Sequence, residues 1–236
     1  MFILYMLVLI SILIICLILR VSCSSALKRH DLKIYLINLP RHTDRLRNFE
    51  KHYNNMSVPT PLEVVEAVDA NKLKHTPLFQ NWPGLSNGQT HHNYKGLQLS
   101  MMKCLQIAKM DNMEWAIVCE DDAELPYDLD FDKVIAKYPD SKVIYMDRRN
   151  VKGDGVVPGC CMNCVMYHNS VFDDFIRELY PNSSLFIEKY IKKTKLSTLN
   201  DWYIPWLIKN AFKIKCSSYP VVKGYDTKST VSTNQL

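Results

Sequence analysis

The chain has 236 residues, of which 47% are hydrophobic, and this combination is enough to bury one sizeable core. Its net charge is +5, but the Lys and Arg residues are scattered along the sequence, which argues against a nucleic-acid-binding protein. Eight cysteines are too few for a disulfide scaffold in a chain of this length.

The N-terminus is an apolar segment, residues 2–19, that contains no charged residue. As a helix it would be roughly 27 Å long, close to the thickness of the hydrocarbon core of a bilayer. Because no Lys or Arg precedes it, the pattern favours an uncleaved membrane anchor over residues 1–20. Small residues at 21–26 keep a cleaved signal peptide as the alternative.

The side of the membrane stays open at this level. Arg20, Lys28 and Arg29 follow the apolar segment and favour a cytoplasmic location for the rest of the chain. Glycosylation sequons at Asn55 and Asn182 are compatible with a lumenal location. A polar linker over residues 21–31 then leads into a predicted domain over residues 32–236.

The first predicted element of that domain is a buried strand over residues 33–39, which ends at Pro40. A helix capped by Thr43 is expected next, and a second strand is expected over residues 62–68. Residues 76–92 are rich in Pro and Gly, so a long loop is predicted there.

The second half repeats the alternation of strands and helices. Helices are predicted over residues 94–110 and 171–179, and strands are predicted over residues 115–119, 142–146 and 161–167. This alternation predicts an α/β fold with a mainly parallel sheet flanked by helices, whose ligands lie beyond the carboxyl ends of the strands. The spacing of Cys161 and Cys164 is that of a zinc pair, but no second pair accompanies it, so a thiol-lined core strand is favoured over structural zinc.

Three carboxylates, Glu120, Asp121 and Asp122, follow the apolar strand over residues 115–119 directly. Side chains alternate in an extended segment, so Glu120 and Asp122 are expected to project to the same side. Neighbouring carboxylates repel each other, and a bound Mg²⁺ or Mn²⁺ would relieve this repulsion. A solvated acidic turn is the alternative.

Four segments carry a resemblance to a known family, namely residues 37–45, 67–70, 99–100 and 118–122. They are similar to the glycosyltransferases of family 25, which include bacterial lipooligosaccharide galactosyltransferases and collagen hydroxylysine galactosyltransferases. The resemblance implies a GT-A-like, Rossmann-type fold, a UDP-sugar donor and a divalent metal, Mn²⁺ or Mg²⁺.

The resemblance also implies roles for particular residues. The metal would be bound by Glu120 and Asp122. The nucleotide-sugar would be bound by seven residues, namely Asn38, Arg45, Asp69, Gly96, Ser100, Glu120 and Asp121. For Arg45 the alternative is a surface ion pair.

A late acidic motif around Asp201 also resembles the family and makes Asp201 the candidate catalytic base. It would take a proton from the acceptor hydroxyl, although an aspartate at such a position can also cap a helix. The chain departs from the family at Leu97 and Met101, where many members have Cys and His.

Together with the apolar N-terminal segment, the resemblance implies a membrane-anchored hexosyltransferase that moves galactose or glucose from a UDP-sugar to a hydroxyl group of a glycan, lipid or protein. The departures at Leu97 and Met101 leave a non-catalytic relative that binds nucleotide-sugars or glycans as one alternative. A metal-dependent phosphoesterase or nuclease is the other, because strand-end carboxylates serve that chemistry too.

Overall fold

The structure is a computed structural model that describes residues 29–80, 92–149, 152–154, 162–180 and 200–224. Side chains of six residues within these ranges are not described, namely Leu78, His92, Asp154, Asn200, Asp201 and Trp202. The predicted anchor over residues 1–20 lies outside the described residues. No helix among those that the structure describes is long and apolar enough to cross a bilayer.

The described part of the chain contains both helices and strands, as expected for an α/β fold. The strands are β1 (Leu32–Asn38), β2 (Leu62–Glu66), β3 (Trp115–Glu120), β4 (Ala123–Glu124), β5 (Val143–Asp147), β6 (Gly153–Asp154), β7 (Cys164–His168) and β8 (Cys216–Gly224). The helices are α1 (Thr43–Asn54), α2 (Ala70–Leu73), α3 (Pro77–Gln80), α4 (His92–Met110), α5 (Phe131–Lys137), α6 (Phe172–Leu179) and α7 (Asn200–Trp206). A 3₁₀ turn (Asn169–Val171) precedes α6, and a π-helix (Leu207–Phe212) continues α7. Strands β3 and β4, and likewise β5, β6 and β7, follow one another with no described helix between them.

The strands form one sheet in the order β2-β1-β3-β7-β5-β8-β4, and β6 pairs with β8. The pairs β2–β1, β1–β3 and β5–β8 are parallel, whereas β7 is antiparallel to both β3 and β5. The prediction of an α/β fold is confirmed, but the sheet is mixed, whereas a mainly parallel sheet was predicted. An alternating pattern of strands and helices does not encode strand direction, so the reversal at β7 was not visible in the sequence.

Apolar side chains cover both faces of the sheet, because successive residues of a strand point to opposite sides. On one face, Tyr35 and Ile37 of β1 belong to a buried cluster with side chains from α4, α6 and α7. On the other face, Ile34 and Leu36 pack in a second cluster with side chains from α1 and α5, including Phe49. The sheet is therefore the middle layer between two layers of helices.

Two details differ from the predicted elements. Helix α1 begins at Thr43, but the preceding residue, His42, occupies the N-cap position, and no side chain caps the helix. Within the predicted long loop, residues 77–80 form the short helix α3, while residues 81–91 lie outside the described part of the chain. Cys164 lies in β7 and is fully buried, as expected for a core strand.

Candidate functional site

The candidate site lies at one edge of the sheet. Strands β1, β2, β3, β5 and β8 run in the same direction, so their carboxyl ends meet there. Because β7 runs the other way, its first residues lie at the same edge. Ligands of α/β proteins bind at this edge of the sheet. The structure thus brings together side chains from distant parts of the sequence.

The acidic cluster begins at the end of β3 and continues into the turn before β4. Glu120 is the last residue of β3 and is partly exposed, Asp121 is buried at 6% exposure, and the Asp122 side chain is 19% exposed. Arg45 of α1 contacts both aspartates: its guanidinium lies 2.7 Å from Asp121 Oδ1 and 3.5 Å from Asp122 Oδ2. Arg45 therefore supplies part of the positive charge that reduces the repulsion between these carboxylates, for which only a metal ion was predicted.

Both aspartates hold their protons more tightly than usual. Burial raises the pKa of Asp121 to about 6, although Arg45 acts in the opposite direction. Burial also raises the pKa of Asp122, against the influence of Arg45 and Arg149. The two guanidinium groups do not outweigh the effect of burial on these carboxyl groups, so a further cation would be favoured here and would displace protons.

A second group of side chains supports Asp122 from the neighbouring strands. Asn163, just before β7, donates from Nδ2 to Asp122 Oδ1 at 3.1 Å. The Oδ1 atom of Asn163 accepts from Arg149 at 2.7 Å. Arg149 in turn is bound to both carboxylate oxygens of Asp147, the last residue of β5. A continuous chain of polar contacts therefore runs from Asp147 to Asp122.

Arg41 and His42 extend the polar surface along the segment after β1. Arg41 forms an ion pair with Asp69, whose side chain also accepts from the backbone N–H of Asn71 and caps α2. Burial and the nearby guanidinium groups lower the pKa of His42, so its ring is neutral at pH 7. The 3.6 Å approach of His42 Nδ1 to Asp121 is therefore not an ion pair.

Asn38 ends β1 at the same edge and is only 4% exposed. Its backbone carbonyl accepts from the N–H of Ala67, but its side-chain oxygen is buried without a hydrogen-bond partner within the described residues. Most buried polar atoms in folded proteins have a partner. The unpaired oxygen of Asn38 is thus a position at which a donor group of a ligand would be stabilised.

Gly96 and Ser100 serve the packing of α4 against the segment after β2. A Cβ at Gly96 would lie 2.6 Å from the backbone oxygen of Val68, so only glycine allows this approach. Ser100 Oγ accepts from the N–H of Val68 at 2.8 Å and donates to the carbonyl of Gly96 at 2.7 Å. These contacts position the segment that carries Asp69, and a direct contact with a donor stays a prediction.

Carboxylate oxygens, such as those of the acidic cluster, are the type of ligand that hard divalent cations prefer. Within the described ranges, no group of three or more His, Cys, Asp and Glu side chains is placed to hold a metal ion. Mg²⁺ and Mn²⁺ nevertheless take oxygen ligands and keep several positions for water and phosphate, so two carboxylates are enough protein ligands. Glu120 and Asp122 are the residues that would hold the metal, and the convergence of their oxygens on one ion stays a prediction.

Asp201, the predicted catalytic base, lies in the first turn of α7. Its side chain is outside the described part of the structure, so its distance from Asp122 is not defined. Its assignment as the base stays a prediction.

Three residues of the polar chain, Asp147, Arg149 and Asn163, were missed in the sequence. Asp147 and Arg149 did carry a signal, because they follow the predicted strand over residues 142–146 in the same way that the acidic triplet follows β3. Asn163 carried none, since its position at this edge depends on the antiparallel direction of β7.

Comparison with known proteins agrees with the sequence resemblance. The sequence profile of "Glycosyltransferase family 25 (LPS biosynthesis protein)" matches residues 31–152, just over half of the 236-residue chain. A search of curated proteins finds no match.

The solved structures to which the chain is similar include two glycosyltransferases. One, described as involved in the glycosylation of the major capsid of PBCV-1, is 11% identical with a TM-score of 0.38, over 79% of this chain and 91% of the other. The other is mouse xyloside xylosyltransferase 1, which is 8% identical with a TM-score of 0.48, over 84% of this chain and 98% of the other.

Proposed function

Because the chain belongs to glycosyltransferase family 25, we propose that it transfers a hexose, galactose or glucose, from a UDP-sugar to a hydroxyl acceptor in a metal-dependent reaction. The fold that we propose for it is GT-A-like. The acceptor would be a hydroxyl group of a glycan, a lipid or a protein.

One observation carries the proposal: Asp121 and Asp122 converge with Arg45 at the carboxyl edge of the sheet. A nucleotide diphosphate is strongly anionic and needs cations around it. Arg45 is a cation already held in the site, and the carboxylates of Glu120 and Asp122 are suited to a divalent metal. When bound, that metal would neutralise the charge that develops on the leaving diphosphate.

Asn38 and Arg41 fit the nucleotide end of such a donor. The buried, unpaired side-chain oxygen of Asn38 would accept a hydrogen bond from an N–H or O–H group of the nucleotide. Arg41 lies at the same edge, and its ion pair with Asp69 fixes the direction of its guanidinium. The donor would therefore extend from the end of β1 towards the acidic turn after β3.

The acceptor hydroxyl needs a base, and Asp201 is proposed for this role. A carboxylate within hydrogen-bond reach of the hydroxyl would remove its proton as the oxygen attacks the anomeric carbon. The proposed membrane anchor over residues 1–20 would hold the enzyme close to a membrane-bound or newly exported acceptor.

The experiment is a donor screen with the purified full-length chain. UDP-galactose and UDP-glucose are incubated with and without Mn²⁺, and release of UDP is measured. We expect Mn²⁺-dependent release, and we expect Asp122→Ala to abolish it. Asp128→Asn is the matched control, because Asp128 is an exposed aspartate six residues further on.

Two results would contradict the proposal. Full Mn²⁺-dependent activity in Asp122→Ala would remove the metal assignment. Binding of UDP without turnover, over a broad set of acceptors, would instead identify a nucleotide-binding relative that is not a transferase.

A further inference from the structure

The amide group of Asn163 is held between a cation and an anion. Arg149 has only donors, so the oxygen of the Asn163 amide must face it, at 2.7 Å from the guanidinium. The NH₂ group must then face Asp122, whose Oδ1 lies 3.1 Å from Nδ2. The chemistry of the two neighbours therefore fixes the orientation of this amide.

Arg149 is itself fixed by the end of β5. Its Nε donates to Asp147 Oδ1 at 2.9 Å, its terminal nitrogen contacts Asp147 Oδ2 at 2.5 Å, and its backbone N–H also donates to Oδ1. The Asp147 side chain is only 1% exposed. Such a bidentate contact restricts a guanidinium in both position and plane. Asp147 therefore fixes the Arg149 guanidinium, and this guanidinium in turn orients the Asn163 amide.

The end of β8 leaves room for this amide. A Cβ placed at Gly224 would lie 2.2 Å from Asn163 Nδ2, whereas its distance to the Arg149 guanidinium would be 3.9 Å. Heavy atoms do not approach to 2.2 Å without a bond, so any other residue at this position would displace the Asn163 amide. Gly224 is therefore part of the same arrangement.

We propose that Asn163 is a positioning residue that holds the Asp122 carboxylate in the orientation that binds the divalent metal. This inference rests on the proposed function of Asp122. The amide occupies one lone pair of Oδ1 and the Arg45 guanidinium lies 3.5 Å from Oδ2, so the carboxylate keeps further lone pairs for the metal. Loss of a group that hydrogen-bonds to a metal ligand, and so orients it, typically lowers metal affinity by about 10- to 100-fold.

The test is a double-mutant cycle on the Mn²⁺ dissociation constant of the full-length chain. Binding is measured from the electron paramagnetic resonance signal of free Mn²⁺. Asn163→Ala removes the amide, and we expect the Mn²⁺ dissociation constant to rise at least about tenfold. Gly224→Ala displaces the amide without removing it, so we expect a similar loss. In the double variant, the added methyl group has no amide to displace, and we expect no further loss beyond Asn163→Ala.

Activity gives a second readout. At saturating Mn²⁺, kcat should be largely retained in both single variants, while the Mn²⁺ concentration needed for half activation rises. Asn169→Ala is the matched control, because Asn169 is an exposed asparagine at the opposite end of β7 and should leave both quantities unchanged.

The outcomes separate this inference from the proposed function. If the wild-type chain binds no Mn²⁺, the proposed metal dependence fails and the inference fails with it. If the wild type binds Mn²⁺ and Gly224→Ala binds it equally well, only the inference is overturned, even when Asn163→Ala does not fold. Additive losses in the double variant would also overturn it, because they would show two independent effects.

Discussion

Asp121 is a carboxyl group that the fold holds in surroundings favouring its protonated form. Burial raises its pKa from 3.8 to about 6, so between these values the folded chain keeps a proton that the unfolded chain releases. The free energy of unfolding should therefore fall as the pH rises from about 4 to about 6. For a shift of this size the fall amounts to about 3 kcal/mol. Urea unfolding at a series of pH values measures it.

Asp121→Asn is the variant that isolates this contribution. An amide does not titrate, so the difference in unfolding free energy between wild type and variant should change across the same pH window and stay constant above it. A difference that does not vary with pH would show that Asp121 has an ordinary pKa in the folded chain. Asp44→Asn is a suitable control, since its side chain is 92% exposed.

The thiols of Cys119 and Cys164 are expected to be inert in the folded chain. They face each other across β3 and β7 with a distance of 3.2 Å between their Sγ atoms, and both residues are fully buried. Burial raises the pKa of Cys119 well above its usual value, and only the thiolate reacts with alkylating reagents. Iodoacetamide should therefore label neither cysteine until denaturant is added, as measured by peptide mass spectrometry. Rapid labelling of Cys119 in the native chain would contradict the buried position.

At the scale of elements, sequence patterns identified β1, α4 and β3 because their apolar residues recur with a clear period or form an unbroken run. The same patterns could not give the direction of β7. Direction depends on which strands pair, and Cys119 pairs with Cys164 across 45 positions of sequence. This is also why a mainly parallel sheet was predicted, whereas the observed sheet is mixed.

At Gly96 of helix α4, packing and helix propensity have opposite effects on the free energy of unfolding when alanine replaces glycine. Alanine normally stabilises the interior of a helix relative to glycine by up to about 1 kcal/mol. At Gly96, however, the added Cβ would lie 2.6 Å from the backbone oxygen of Val68, which cannot move aside as a flexible side chain would. We expect Gly96→Ala to lower the free energy of unfolding by about 1–3 kcal/mol, since overpacking costs that much.

Gln106→Ala provides the control on the same helix, because Gln106 is exposed and alanine there should be neutral or slightly stabilising. Both variants can be measured by urea unfolding. A Gly96→Ala variant as stable as the wild type would show that α4 does not approach the segment after β2 as closely as described.

At the scale of the whole molecule, the candidate site is assembled from segments that are far apart in the sequence. The sequence predicted that Asn38, Arg45 and Asp122 belong together, and the structure places them at one edge of the sheet. The sequence did not predict Asn163 or Gly224. The approach of Asn163 to Asp122, and of Gly224 to Asn163, depends on the final order of the strands. Local motifs were therefore enough to predict the first three residues, whereas Asn163 and Gly224 follow only from the fold.

Because the candidate site exists only in the folded chain, the Tm of the whole chain reports on ligand binding. A ligand that binds only the folded chain stabilises it by about 2.7 kcal/mol at a concentration 100 times its dissociation constant. For a chain of this size, that corresponds to an increase in Tm of about 5–10 °C. We expect Mn²⁺ and UDP together to raise Tm by more than the sum of their separate effects, because the diphosphate would complete the ligands of a metal held by Glu120 and Asp122. Differential scanning fluorimetry measures these shifts in Tm. Asp122→Ala should lose the Mn²⁺-dependent increase in Tm, while the control Asp128→Asn should keep it. Strictly additive shifts in the wild type would show that metal and nucleotide bind at separate places.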